Sequence, residues 1–545
     1  MQNRRYAFGD PLFCRMKWRI FFIIVSDKMN RRKFIQHSGL ALLGSALASK
    51  KSFSSYSGKL PAAEPDQLID SIVSAALDAG AQYADVRLVN LKRQKIQVQN
   101  NIVSAISEME SFGYGLRVFA GGNFGFASFD NLEKQDVSLL VRHAIDTARS
   151  RGSIQPLHVD FKSESINDTW RTPVKTDPFS VTMKEKIDFL KSLTAAGLAG
   201  EHIEFAVANF FFIKEEKIFV SSTGKRIQQT LFKTYPNFAV TAVDKKNGIM
   251  ESCSSFFEPQ AVGYEITTSY PFIDELKQAC ADAYEKALAQ PQPAGSYDLI
   301  ITPSHLWSLF DETLGYHLDP ANVFLLNGNN PNERLYDPSE IGNALIASDK
   351  ISVQADNTLT NALASSKYDD EGNRSSVCSI IENGRLHALP VNKELQNITS
   401  LQSEFACSTA EDWNFPAISR QPNLILKAQE HGATLDQIIS RTEKGILLKG
   451  RGNIYHNYDR KSFQAVPQLM WLVENGKIVR MIRNTSYQAR TLDFWKSCTE
   501  LGGEQDLQMG GTIFQDAGDP PQQGGHSVIA PVAVFHNVQL IPLSK

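Results

Sequence analysis

The sequence predicts an α+β fold of two domains with mixed or antiparallel sheets, not an alternating βαβ wind. Asn-Gly stands between apolar runs at Ile380-Ile381-Glu382-Asn383-Gly384-Arg385-Leu386 and at Trp471-Leu472-Val473-Glu474-Asn475-Gly476-Lys477-Ile478. That dipeptide in that setting is a strong hairpin signal, and hairpins make antiparallel pairs. Helix-spaced apolar residues form separate segments instead of regularly following each strand. A proline-rich joint, Gln290-Pro291-Gln292-Pro293-Ala294-Gly295-Ser296, divides the chain into an N-terminal α+β domain (62–290) and a strand-rich C-terminal domain (296–545).

In chain order, Phe112–Phe119 and Gly121–Ser128 alternate apolar and polar residues around a Gly-Gly-Asn turn and predict strand, turn, strand. Val137–Ala148 has apolar residues at helical spacing, and Glu275–Ala289 reads as a helix before the joint. The apolar run Asp298–Ile301 predicts a strand that leads through Thr302-Pro303-Ser304 into an amphipathic helix. Thr491–Leu501 is helix-like, with Cys498 near its end as a buried thiol.

At 545 residues the chain can bury full cores. A net charge of −3 with no basic stripe argues against nucleic acid or a membrane surface as partner. The six cysteines show neither metal-ligand spacing nor a dense disulfide framework, and their pairing is left open.

The stretch Leu309-Phe310-Asp311-Glu312-Thr313-Leu314-Gly315-Tyr316-His317-Leu318-Asp319 resembles the His-Glu-x-x-x-His helix of the TldD/TldE (PmbA) family of metallopeptidases, the modulator of DNA gyrase family. The likeness extends from about residue 66 to the C-terminus. Ala75–Arg87 resembles that family's opening helix, glycine turn and first strand, and Tyr368-Asp369-Asp370-Glu371-Gly372 its Asp-Asp-Glu-Gly segment. The resemblance implies a TldD/PmbA-like fold, zinc-dependent proteolysis of unfolded peptides, and a homodimer or a heterodimer with another subunit of the family.

The same comparison places Asp311 and Tyr316 where the family has its two histidines, and Ala517 where it has its zinc-binding cysteine; Glu312 stands at the position of the general base. A zinc peptidase needs three protein ligands, an open water position and a carboxylate base. Asp311 can ligate through a carboxylate oxygen, whereas a neutral phenol is a poor ligand. His317, Asp319 and His526 are candidate substitutes. On a continuous helix His317 would lie about 600° around from Asp311, but a left-handed Gly315 would release the chain. One reading is therefore a noncatalytic, metallopeptidase-like peptide-binding or partner subunit without zinc. The alternative is an active metallopeptidase with a rebuilt ligand set and Glu312 as base. His305 falls on another helix face from Asp311 and is expected to be a core or surface residue. The carboxylates Asp369, Asp370 and Glu371 form either a cation site or a solvated turn.

The N-terminus carries an address. Met29-Asn30-Arg31-Arg32-Lys33-Phe34-Ile35 resembles a twin-arginine export signal, and Ser38–Ala48 is its apolar segment, too short to span a membrane. Residues 29–48 are thus expected to be a signal peptide that directs the protein to the periplasm. Residues 1–28 are read as an extension upstream of the true start.

Overall fold

The computed structural model describes residues 64–543 except 131–135, 151–156, 158, 162–163, 327–333, 400, 402–404 and 519–520. The signal segment and the upstream extension lie outside the described residues. The fold is α+β, with large antiparallel and mixed sheets, as the sequence predicts.

The first sheet is drawn wholly from the first half of the chain: β1 (Tyr83–Gln99), β2 (Ile102–Ala120), β3 (Asn123–Phe129), β4 (Ile166–Arg171), β5 (Ile203–Ser221), β6 (Lys225–Asp244) and β7 (Ile249–Ser254). Its order is β3-β2-β1-β5-β6-β4, with β7 also on β6. All pairs are antiparallel except β4 with β6. Gly121 and Gly122, both at positive φ, make the predicted β2–β3 turn.

Successive strand residues point to opposite faces, and the two faces of this sheet meet different neighbours. On β1, Val86, Leu88, Ile96 and Val98 pack under helices, among them Glu64–Asp78, Val137–Ser150, Met183–Leu198 and Phe272–Leu288. The alternate residues Asp85, Arg87, Val89, Leu91 and Arg93 face the other half of the chain.

That half carries a six-stranded and a nine-stranded sheet. In the larger one β8 (Gly295–Ile301) lies antiparallel to Ala533–Pro542 and parallel to Lys444–Lys449, so the sheet is mixed. The smaller one joins β9 (Val353–Asp356), β10 (Val377–Glu382) and β11 (Arg385–Leu386) to the strands Leu424–Leu426, Gln522–Ala530 and Gln508–Ala517. Asn383-Gly384 and Asn475-Gly476 all adopt positive φ at their hairpin turns. The main core lies between these sheets and includes the fully buried Trp307, Phe310, Trp495 and Phe535.

Two expectations change. The helix at 491 ends at Lys496, and Cys498–Leu501 is a strand paired with Ala533–Pro542. Cys498 is a buried thiol nonetheless, and burial pushes its pKa up to about 12. The Asp369–Glu371 turn is not solvated: all three side chains are buried and charge-paired or hydrogen-bonded. The five described cysteines are free thiols. Among the described residues no helix is long and apolar enough to cross a membrane.

His305, on the helix Pro303–Glu312, is fully buried between the Gly450 carbonyl (Nδ1, 3.1 Å) and the Tyr487 hydroxyl (Nε2, 2.8 Å). Burial lowers its pKa to about 4. The unfolded chain therefore binds the extra proton first as pH falls, so wild-type stability drops between pH 6.5 and 4, by roughly 3 kcal/mol from this group. His305→Gln is expected to be less stable than wild type at pH 7, with the gap closing as pH approaches 4. Urea unfolding at a series of pH values checks it; a gap that does not change with pH contradicts it.

Candidate active site and its charge environment

The helix that carries the metallopeptidase-like motif runs from Pro303 to Glu312. Proline at its first position removes a donor that has no intrahelical acceptor there. Pro303 to Asp311 are buried, so the helix is a core element and not a surface one. Gly510 in the strand beneath it sits against the Trp307 indole, where an added Cβ would come within 2.2 Å of the ring. The close approach of strand and helix depends on that missing side chain.

Adjacent helical residues are about 100° apart, so Asp311 and Glu312 diverge. Asp311 turns inward. Its Oδ1 lies 2.7 Å from His526 Nε2 and accepts a hydrogen bond from Gln421 Nε2 at 3.3 Å. His526 comes from the strand Gln522–Ala530, where it pairs with Thr512, and is itself buried. Glu312 turns outward, half-exposed, with Oε2 3.8 Å from Arg460 and 3.7 Å from His456.

The helix ends at Thr313, whose hydroxyl accepts from the Trp495 indole. A short 3-10 turn, Gly315–Leu318, follows. Gly315 is not left-handed, as the sequence led us to expect. It is absent from the positive-φ residues, and its lack of a side chain serves packing: a Cβ would lie 3.1 Å from the Phe310 carbonyl and 3.2 Å from Gln421 Nε2. Tyr316 stacks under the Arg460 guanidinium, 4.0 Å from its ring centre.

His317 is held at Arg460. Its Nε2 lies 3.4 Å from the Arg460 carbonyl, and burial brings its pKa down to about 4. Asp319 caps the next turn through Ala321 N and faces Arg420 Nε at 3.7 Å. Burial raises its pKa, and both Arg420 and His526 act against that shift. Arg420 donates to the carbonyls of Gln522 and Gln515 at 2.7 Å each, so it braces the hairpin that holds Ala517. Ala517 is buried at the end of its strand, paired with Gln522, and that strand packs on the motif helix.

The structure thus brings Asp311 and His526 into contact, with Asp319 close by. Glu312, Tyr316 and His317 gather around Arg460. Among the described residues no three His, Cys, Asp or Glu side chains converge as a metal site would require. Sequence reasoning missed Arg460, Arg420 and Gln421, which carry no motif. It also missed a buried ionic seam beside the site. Arg117 pairs with Asp85 at 2.8 Å and Glu371 at 2.5 Å; Lys217 and Arg87 pair with Asp370 at 2.6 and 3.7 Å. Asp369 accepts from the backbone of Glu371, Asn373 and Ser408, while burial, then the Glu371 charge, push its pKa up to about 7. The available signal was the i, i+2 spacing of Asp85 and Arg87, which puts two charges on one strand face.

Comparison with known proteins agrees with this frame. Residues 294–541 match the family model of the PmbA/TldA metallopeptidase C-terminal domain, and residues 84–148 match that of PmbA/TldA metallopeptidase domain 1. A metalloprotease of Methanocaldococcus jannaschii is 23% identical over 447 residues, covering 80% of this chain and 93% of its own. The fold is similar to that of a modulator of DNA gyrase from Thermotoga maritima, with a TM-score of 0.69 at 14% identity, covering 87% of this chain and 100% of the other. It is also similar to TldE from Thermococcus kodakarensis, with a TM-score of 0.65 at 15% identity, covering 87% and 99%.

Because Asp311 is inside and Glu312 outside, the two adjacent carboxylates should differ sharply in stability cost. His526→Ala strips Asp311 of its near partner and is expected to cost roughly 2–4 kcal/mol. Glu312→Ala breaks only long, half-exposed pairs and is expected to cost under about 1 kcal/mol. Denaturant unfolding of both variants at neutral pH decides; equal losses would refute the assigned geometry.

Proposed function

Because this chain belongs to the PmbA/TldD metallopeptidase family, we propose that it takes part in peptide processing as a noncatalytic subunit without the family's zinc site. In this reading it binds unfolded peptide or supports a partner. The observation that carries the reading is the fate of the inherited ligand positions. Asp311 is held by His526 and Gln421, Tyr316 lies under Arg460, and Ala517 offers no donor atom. A tetrahedral zinc site needs three converging N, O or S ligands, and this donor set does not fit it. The partner is a second copy or another subunit of the same family. Export by the twin-arginine route to the periplasm belongs to the same proposal, supported by Arg31-Arg32 and the short apolar run behind them.

A second reading rests on the Asp311–His526 contact. Two metal-capable side chains already touch beside Asp319, and Glu312 follows Asp311 in sequence. A rebuilt site would use Asp311, His526 and Asp319, with Glu312 as base. Glu312, however, is turned to Arg460 and His456, away from that cluster.

Elemental analysis of the purified mature protein separates the two. We expect well under one equivalent of zinc and no cleavage of unfolded peptides; stoichiometric zinc with chelator-sensitive cleavage would establish the second reading instead. As a companion test, the triple variant Asp311→His, Tyr316→His, Ala517→Cys should gain zinc binding in equilibrium dialysis while the single variants gain little, because one ligand cannot close the site. A folded triple variant that binds no zinc would show that these three positions no longer converge.

A further inference from the structure

A polar cavity of about 50 Å³, room for a few waters, lies between the first sheet and the C-terminal half. Its walls include Lys217 and Lys233 from β5 and β6, Asp369 and Asp370 from the ionic seam, and Arg420 and His526 from the candidate site. Lys233 pairs across the strands with Ile213, which puts it on the same sheet face as Lys217 and Glu215.

The cations around it are matched. Lys217 has Asp370 at 2.6 Å and Glu215 at 3.3 Å, Arg87 shares Asp370, and Arg117 lies between Asp85 and Glu371. Lys233 is the exception: among the described residues it has no hydrogen bond from its ammonium and no carboxylate within 4.0 Å. Glu215 is nearest in effect but is engaged by Lys217. The same cavity holds two buried atoms without hydrogen-bond partners, Arg420 Nε and Gln421 Oε1. Burial raises the Asp369 pKa to about 7, which weakens the opposing charge it supplies. Lys233 is half-buried and lines the cavity, so its ammonium is open to a ligand anion there.

We infer that Lys233 anchors a carboxylate of the bound peptide in this cavity, with Gln421 Oε1 placed to accept a peptide N–H. The inference rests on the peptide-binding reading above. The carboxylate can be the peptide's C-terminus or an acidic side chain, since both present the same two oxygens to an ammonium.

Three fluorescently labelled, unstructured peptides separate these sources: one without acidic residues and with a free C-terminus, the same peptide amidated, and the amidated peptide with one internal Glu. Fluorescence anisotropy on the mature protein should show the free acid binding about tenfold or more tightly than its amide. The third peptide identifies the source: tight binding assigns the side chain as well, weak binding the C-terminus alone. In Lys233→Met the preference should vanish, while Lys233→Arg should keep part of it. A thermal-melt readout guards against misfolding: the free acid should raise the wild-type midpoint and leave that of the folded Lys233→Met variant unmoved. Acid and amide bound equally by wild type, or a preference that survives Lys233→Met, would overturn the inference alone. Binding of none of the three peptides by the folded protein would overturn the peptide-binding reading together with it.

Discussion

The architecture turns on one strand face that carries charge where a core strand would ordinarily carry apolar side chains. Asp85 and Arg87 of β1, with Arg117 of β2 and Lys217 of β5, meet Asp370 and Glu371 in the turn before β10. Isolated burial of any one of these ions would cost several kcal/mol, so each depends on the others being in place. Asn392 completes Glu371, and the Ala410 backbone N–H completes Asp370. Apolar contacts flank the seam, with Val89 and Leu91 against Leu363 and Ile513. An arrangement of this kind favours one docking geometry over many, because a slip of one residue along β1 would exchange its charged and apolar faces.

The seam explains why the cavity and the motif helix lie together. The sheet brings lysines to one side of the cavity, and the strand Gln522–Ala530 brings His526 to the other. The motif helix is then fixed from below by the Gly510–Trp307 approach and at its end by the Asp311–His526 pair. The end of the motif helix is a packed end, in which an aspartate–histidine contact joins helix and strand. Glu312 faces a guanidinium instead of the cavity. Arg420 Nε and Gln421 Oε1, buried without hydrogen-bond partners, line the cavity together with the half-buried Lys233.

Much of the frame was legible in the sequence, because it is local. The Asn383-Gly384 and Asn475-Gly476 turns follow from the positive φ that Asn-Gly tolerates, and the Pro303 helix from its entry signal. Legibility stopped where partners are distant. The helix read through Leu501 ends early because Cys498–Leu501 finds pairing on Ala533–Pro542, a contact no local periodicity contains. Asp369–Glu371 read as either a cation site or a solvated turn because the cation that pairs with Glu371 is 254 residues away. His526 was visible as a candidate from its place near Ala517, but its ring contact with Asp311 needed the β-pairing that faces it toward the helix. Gly315 was given a left-handed role when its use is to let Gln421 approach.

The most direct test of this account is a double-mutant cycle on Arg117 and Glu371 (Arg117→Met, Glu371→Leu and the pair), read by denaturant unfolding. If the ionic seam fixes how the first sheet docks, each single change takes a partner from a buried ion and the two effects are strongly non-additive, with a coupling of about 2 kcal/mol or more. Additive losses, with a coupling near zero, would mean that the two side chains do not depend on each other and that the apolar contacts alone set the docking.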